Sequence, residues 1–191
     1  MIYIVSGFMR SGTSAMMSAL ISGGMEAEWS KERDKLADSH SDNNYHPNSN
    51  GLYEVSLREY QEIDFPLKYQ NKLIKVMIWG LENIAVNSEG YQIVIMQRDK
   101  EEIRQSYEAF FDKPLQMKWF EKYDEKLLRT IQFMKNRKDV ETVDVINYRD
   151  LVSYPEFVLA NCSFPFDYKK ASKVIDKEQY RFRKELLTVG I

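Results

Sequence analysis

The sequence predicts an α/β fold, a parallel sheet flanked by helices on both faces in three layers. Three observations predict it. Apolar, β-branched runs recur at residues 2–5, 73–79, 93–97 and 142–147. The runs are mostly continuous rather than alternating, as strands buried on both faces require. Segments of helical periodicity separate them, the order that yields parallel strands with crossover helices. The length of 191 residues suits one full core, so a single domain over residues 1–191 is expected.

Each element follows from its own residues. The first run leads into Ser6-Gly-Phe-Met-Arg-Ser-Gly-Thr-Ser14 and a helix expected over about 13–22, closed by Gly23-Gly24. Residues 25–51 are polar, rich in Asp, Ser, Asn and His, and lack periodicity; a stretch of that kind is usually functional or disordered. Both histidines, His40 and His46, fall in it. A helix is expected behind Asp99, with Ile103, Tyr107, Phe110 and Phe111 on one side. Another is expected over about 115–136, carrying Phe120, Tyr123, Leu127, Ile131 and Met134 at helical spacing, which read as core. Residues 167–184 are strongly basic, and read either as a solvated helix face or as part of an anion site.

The totals exclude several function classes. A net charge of −2 argues against broad binding to nucleic acid or to an anionic membrane, which needs a large positive excess. The single cysteine, Cys162, excludes an internal disulfide and a multi-cysteine metal site, and is given no role. No basic leader precedes the first strand and no apolar run approaches about 18 residues, so no membrane span and a cytoplasmic location are expected.

Chemistry enters with the loop after the first strand. A strand, a glycine-punctuated turn and a helix start bring backbone N–H groups to one point, a phosphate cradle. The nucleoside-triphosphate version reads G-x-x-x-x-G-K-S/T. Gly7 and Gly12 have that spacing, but Thr13 stands at the lysine position and the basic residue is Arg10. A second anchor lies where the third apolar run ends. Arg98 falls at the carboxyl edge of the sheet, where open α/β sheets bind ligands. Ser106 follows about two turns into the next helix and can face back toward it. A guanidinium fork with a hydroxyl suits a phosphate. The alternative for Arg98 is an ion pair with Asp99 or Glu102 at the helix start.

In these motifs the chain resembles the sulfotransferases that use 3′-phosphoadenylyl sulfate (PAPS), whose sheet is like that of the P-loop NTPases. The loop matches the family's 5′-phosphosulfate loop, and Arg98 with Ser106 matches the spacing of its 3′-phosphate site. Further segments are similar to a bacterial subgroup: Gly-Gly-Met25, His46-Pro-Asn-Ser-Asn-Gly-Leu-Tyr-Glu54, Asn147-Tyr-Arg-Asp-Leu-Val-Ser-Tyr-Pro155, and Ile175-Asp-Lys-Glu-Gln-Tyr-Arg181-Phe-Arg183.

The resemblance implies that Arg10, Ser11, Gly12, Thr13 and Ser14 hold the 5′-phosphosulfate. It implies that Arg98 and Ser106 hold the 3′-phosphate, and it sets Arg181 and Arg183 against the nucleotide unless they are only a solvated basic face. Arg10 would neutralise charge on the leaving phosphate, with no metal required. The cytosolic branch carries Lys-x-His on its second strand; here Lys75-Val76-Met77 keeps the lysine and loses the histidine. Lys75 would then stabilise the transferring group, and the base must come from elsewhere. Glu54 is the first candidate, at an expected helix start, where its alternative role is a carboxylate meeting the helix dipole; His46 and His40 follow. The acceptor would be a hydroxyl or amine of a small molecule or of a glycan-like or lipid-like compound. Its pocket would be shaped by residues 25–51 and 111–117, and Trp29, Tyr45 and Tyr53 either line it or are simply packing. Two other readings stand beside this one: a P-loop kinase or NTPase with a degenerate loop, and a nucleotide-binding module that has lost its base.

Overall fold

In the computed structural model, which describes residues 1–30, 54–55, 59–115 and 118–179, the strands build one sheet. Its members are β1 (Ile2–Gly7), β2 (Leu73–Lys75), β3 (Tyr91–Gln97) and β4 (Val140–Asn147), in the order β2-β1-β3-β4. Every pairing is parallel, as the continuous apolar runs required. The chain goes from β1 to β2 on one side, then crosses back to place β3 on the other side of β1. That reversal sets a crevice between the carboxyl ends of β1 and β3, where Gly7 pairs with Met96.

Successive residues of a strand point to opposite faces, and the two apolar clusters divide accordingly. Ile2, Ile4, Ile93 and Ile95 join Leu127 and Met134 in one cluster. Val5, Val94 and Met96 join Met16, Met17, Leu20 and Leu151 in the other. The helices are α1 (Thr13–Ser22), α2 (Phe65–Lys68), α3 (Ile78–Leu81), α4 (Lys100–Phe111), α5 (Tyr123–Lys135), α6 (Tyr148–Ser153), α7 (Pro155–Ala160) and α8 (Tyr168–Ser172). α1 has the expected bounds. It stops because Gly24 takes φ 100°, while the N–H groups of Gly23 and Met25 bond back to the carbonyls of Ala19 and Leu20.

Three expectations are corrected. The second apolar run does not continue as a strand to Trp79. β2 ends at Lys75, and residues 78–81 turn helical, where Gly80 lets the Tyr60 ring pack against the backbone. The helix expected over 115–136 begins only at Tyr123, behind a 3-10 turn over Lys118–Lys122. A 3-10 turn eclipses residues three apart, and both Phe120 and Tyr123 reach Phe8, at ring separations of 5.8 and 4.8 Å. Glu54 does not start a helix; it makes a parallel bridge to Lys75 on the outer edge of β2, next to a bridge between Ala27 and Leu73. Among the described residues no helix is long and apolar enough to cross a membrane.

One ion cluster ties α5 to the end of α3. Glu82 accepts from Thr130 Oγ1 (2.8 Å) and pairs with Lys126 (2.8 Å) and Arg129 (3.0 Å). Burial alone would raise its pKa, but the bonds from Lys126, Thr130 and Arg129 prevail and hold it down to about 2, from an ordinary value of 4.5. A depressed carboxylate stabilises the fold fully above its unfolded value, and the contribution disappears as pH falls through the folded one. Glu82→Gln is therefore expected to cost about 1–2 kcal/mol at neutral pH. Thermal melts of both proteins should converge as pH drops from 4.5 toward 2; a gap that is the same at both ends would refute the assignment.

Candidate functional site

The loop between β1 and α1 folds as a cradle because its backbone takes conformations that few sequences allow. Gly12 has φ 96°, and a Cβ there would lie 2.2 Å from the Tyr148 ring, so only glycine fits. Arg10, not a glycine, is left-handed at φ 66°, at a cost of about 1–2 kcal/mol. Its carbonyl accepts from Arg98 Nη1 (3.0 Å), which holds it there. The Arg10 side chain donates from Nε to Ser106 Oγ (3.1 Å) and lies over the Phe110 ring at 4.8 Å. Ser11 turns inward: its hydroxyl donates to the Phe8 carbonyl (2.7 Å) and closes the turn.

The two long helices that follow β1 and β3 begin differently. α4 caps itself, with the Asp99 side chain accepting from the N–H groups of Glu101 and Glu102. α1 starts at Gly12 with no side-chain cap and no acid in its first turn. Its first backbone bond runs from Met16 N–H to the Gly12 carbonyl (3.1 Å), so the N–H groups of Thr13, Ser14 and Ala15 precede any intrahelical acceptor. A ten-residue helix with that start favours an anion.

Arg98 is 7% exposed and joins the loop to the body of the fold. Besides the Arg10 carbonyl it pairs with Glu102 through Nε (3.1 Å), and its guanidinium lies 5.0 Å from the Tyr148 ring centre. Arg149 meets the other Glu102 oxygen at 3.4 Å. The Arg98 backbone carbonyl accepts from Tyr123 Oη (3.3 Å), a phenol whose pKa burial pushes up to about 12. Of the two partners open to Arg98 in the sequence, Glu102 is thus engaged, while Asp99 caps α4. Arg98 and Ser106 both act on Arg10, one on its carbonyl and one on its Nε.

Lys75, at the carboxyl end of β2, is 3% exposed and donates to Ser14 Oγ (3.2 Å) at the start of α1. Its Nζ lies 3.6 Å from Glu54 Oε1, placed by the Glu54–Lys75 bridge. A cavity of about 490 Å³ is lined by residues that follow the carboxyl ends of β1 and β2. Phe8, Met9, Ile78 and Trp79 form one wall; Lys122, Glu125, Lys126 and Arg129 of the α5 region form the other.

Arg10, Ser11, Gly12, Thr13, Ser14, Lys75, Arg98, Ser106 and Glu54 therefore all lie around the carboxyl edge of the sheet. His40, His46, Tyr45, Tyr53, Arg181 and Arg183 lie outside the described residues. Trp29 packs against the cluster that contains Leu73 and Met25. Cys162 has its thiol pushed up to about 12 by burial, which leaves it a poor nucleophile. Sequence reasoning missed the parts played by Tyr148 and Arg149, which lie far along the chain. It also missed the cavity wall of Phe8, Met9 and Trp79, although the first two stand inside the loop it singled out. No family profile matches the chain, and no curated protein matches it.

Proposed function

We propose that this chain is a PAPS-dependent sulfotransferase with the three-layer architecture of the P-loop NTPases. One observation carries the reading: Arg98 holds the Arg10 carbonyl, and Arg10 holds Ser106, so two motifs distant in sequence are joined in one edge of cations and a hydroxyl that suits an anion. The open start of α1 beside it, with a lysine delivered from β2 instead of from the loop, fits a phosphosulfate better than a triphosphate. A cytoplasmic location and a small-molecule, glycan-like or lipid-like acceptor belong to the same reading.

In this reading the N–H groups at the start of α1, with Thr13, Ser14 and Arg10, receive the 5′-phosphosulfate of PAPS, which supplies the sulfuryl group. Ser106 can accept from Arg10 and still donate its own proton to the 3′-phosphate, since a hydroxyl does both; Arg98 adds positive charge behind it. The acceptor oxygen forms the new O–S bond while the S–O bond to the phosphate breaks. The electron pair leaves on the phosphate oxygen of adenosine 3′,5′-bisphosphate, beside Arg10 and Lys75. The acceptor's proton goes to the Glu54 carboxylate. The protein's work is to position the partners and to oppose charge that grows on the leaving oxygen.

Calorimetry tests this directly. Adenosine 3′,5′-bisphosphate is expected to bind in the presence of EDTA, with affinity that falls as salt rises. Binding of ATP only, and only with Mg²⁺, would favour the kinase or NTPase reading and sink this one. Nucleotide binding with no transfer to any of a broad set of acceptors would favour the non-catalytic module.

A further inference from the structure

We infer that the cavity beside the loop selects an acceptor that is itself an anion, an aromatic or alkyl hydroxy compound carrying its own acidic group. The inference rests on the sulfotransferase reading for the word acceptor, but the chemistry of the cavity stands on its own residues.

The two walls differ in kind. One is apolar: Phe8 and Trp79 meet edge to face with ring centres 5.7 Å apart, and Met9 and Ile78 extend the surface. Phe8 is packed from behind by Tyr123 and Phe120, and the apolar wall suits a flat or branched hydrocarbon body. The other wall is a stripe from one side of α5 and the turn before it. Lys122, Glu125, Lys126 and Arg129 recur at helical spacing and present three cations against one carboxylate. Glu82 engages Lys126 and Arg129 from outside the lining and offsets part of that charge, which leaves the balance of the wall positive. A neutral acceptor would satisfy the first wall and gain nothing from the second. A cationic one would be repelled.

Position ties the cavity to the transfer. Phe8 and Met9 directly precede Arg10, and Ile78 and Trp79 directly follow the end of β2 that delivers Lys75. A hydroxyl on the apolar body can thus reach the cradle while the acidic group stays with the stripe. The bond changes are those given above, with the acceptor oxygen gaining the sulfuryl group and the proton going to Glu54.

Three probes with the same phenol ring and different tails separate the contributions: 3-(4-hydroxyphenyl)propionate, 4-ethylphenol and tyramine. Calorimetry with adenosine 3′,5′-bisphosphate present and absent is expected to rank them anion, neutral, cation, with about tenfold between the first and last. Lys122→Gln, at an exposed position outside the phosphate site, should shrink that ratio to about twofold while nucleotide affinity stays unchanged. Trp79→Ala should weaken all three probes, with a thermal melt confirming that the variant is folded. Equal or reversed ranking, no binding of any probe at millimolar concentration, or a folded Trp79→Ala that binds all three as before would each overturn the inference. If the anionic probe binds and the nucleotide does not, the sulfotransferase reading fails and the cavity assignment stands.

Discussion

Arg98→Ala is expected to abolish measurable binding of adenosine 3′,5′-bisphosphate and to lower stability by about 3–5 kcal/mol. The second effect comes from Glu102, 2% exposed, which loses its Nε partner at 3.1 Å, while Arg149 stands 3.4 Å from its other oxygen. A buried carboxylate that loses its nearest cation costs more than the pair was worth. The Arg10 carbonyl loses its donor at the same time, so the left-handed residue is free to relax and the cradle with it. Urea unfolding reads the stability, and the double variant Arg98→Ala/Glu102→Gln separates the two effects. It should recover much of the stability, because no buried charge remains, and none of the nucleotide binding. Recovery of both, or loss of neither in the single variant, would show that Arg98 only packs.

Glu54→Gln is expected to cut sulfuryl transfer by about 10²–10⁴-fold, the usual contribution of a positioned base, while nucleotide affinity stays near wild type. The isostere keeps the shape of the Glu54–Lys75 contact at 3.6 Å but takes a charge from beside the buried Lys75, so a thermal melt must show the variant folded before the rate is read. Single-turnover assays with preformed PAPS complex give the rate of the chemical step. An unchanged rate would remove Glu54 from the mechanism.

Much of the fold was legible because it rests on local signals. Continuous apolar runs marked three of the four strands, β4 was marked by an alternating run of which only Ile146 is buried, and Gly23-Gly24 marked the end of α1. What escaped rests on contacts between distant segments. The helix expected from about 115 begins at Tyr123, because two aromatic residues three apart must both reach Phe8, a demand that periodicity within the segment does not show. Glu54 read as a helix start because an acidic residue after a polar stretch favours one. A single bridge to Lys75 overrides that preference, and one bridge has no period to read. At the site, the loop and Arg98 were legible by spacing. The engagement of Arg98 by Glu102 was one of two options at the helix start, and the choice was decided when Asp99 became the cap of α4.

The unequal starts of α1 and α4 give the sheet edge a direction. One helix starts with no side-chain cap and no acid in its first turn; the other has covered its own start with Asp99, and its acids Glu101 and Glu102 are already paired with Arg104, Arg98 and Arg149. A ligand with two anionic ends of unequal charge, approaching from solution, meets a field that distinguishes them before any atom touches. An end that needs backbone donors is drawn to α1, and the other end is left to Arg98 and Ser106 beside α4. Orientation is thus imposed at long range, and salt should slow productive arrival more than it weakens the bound state.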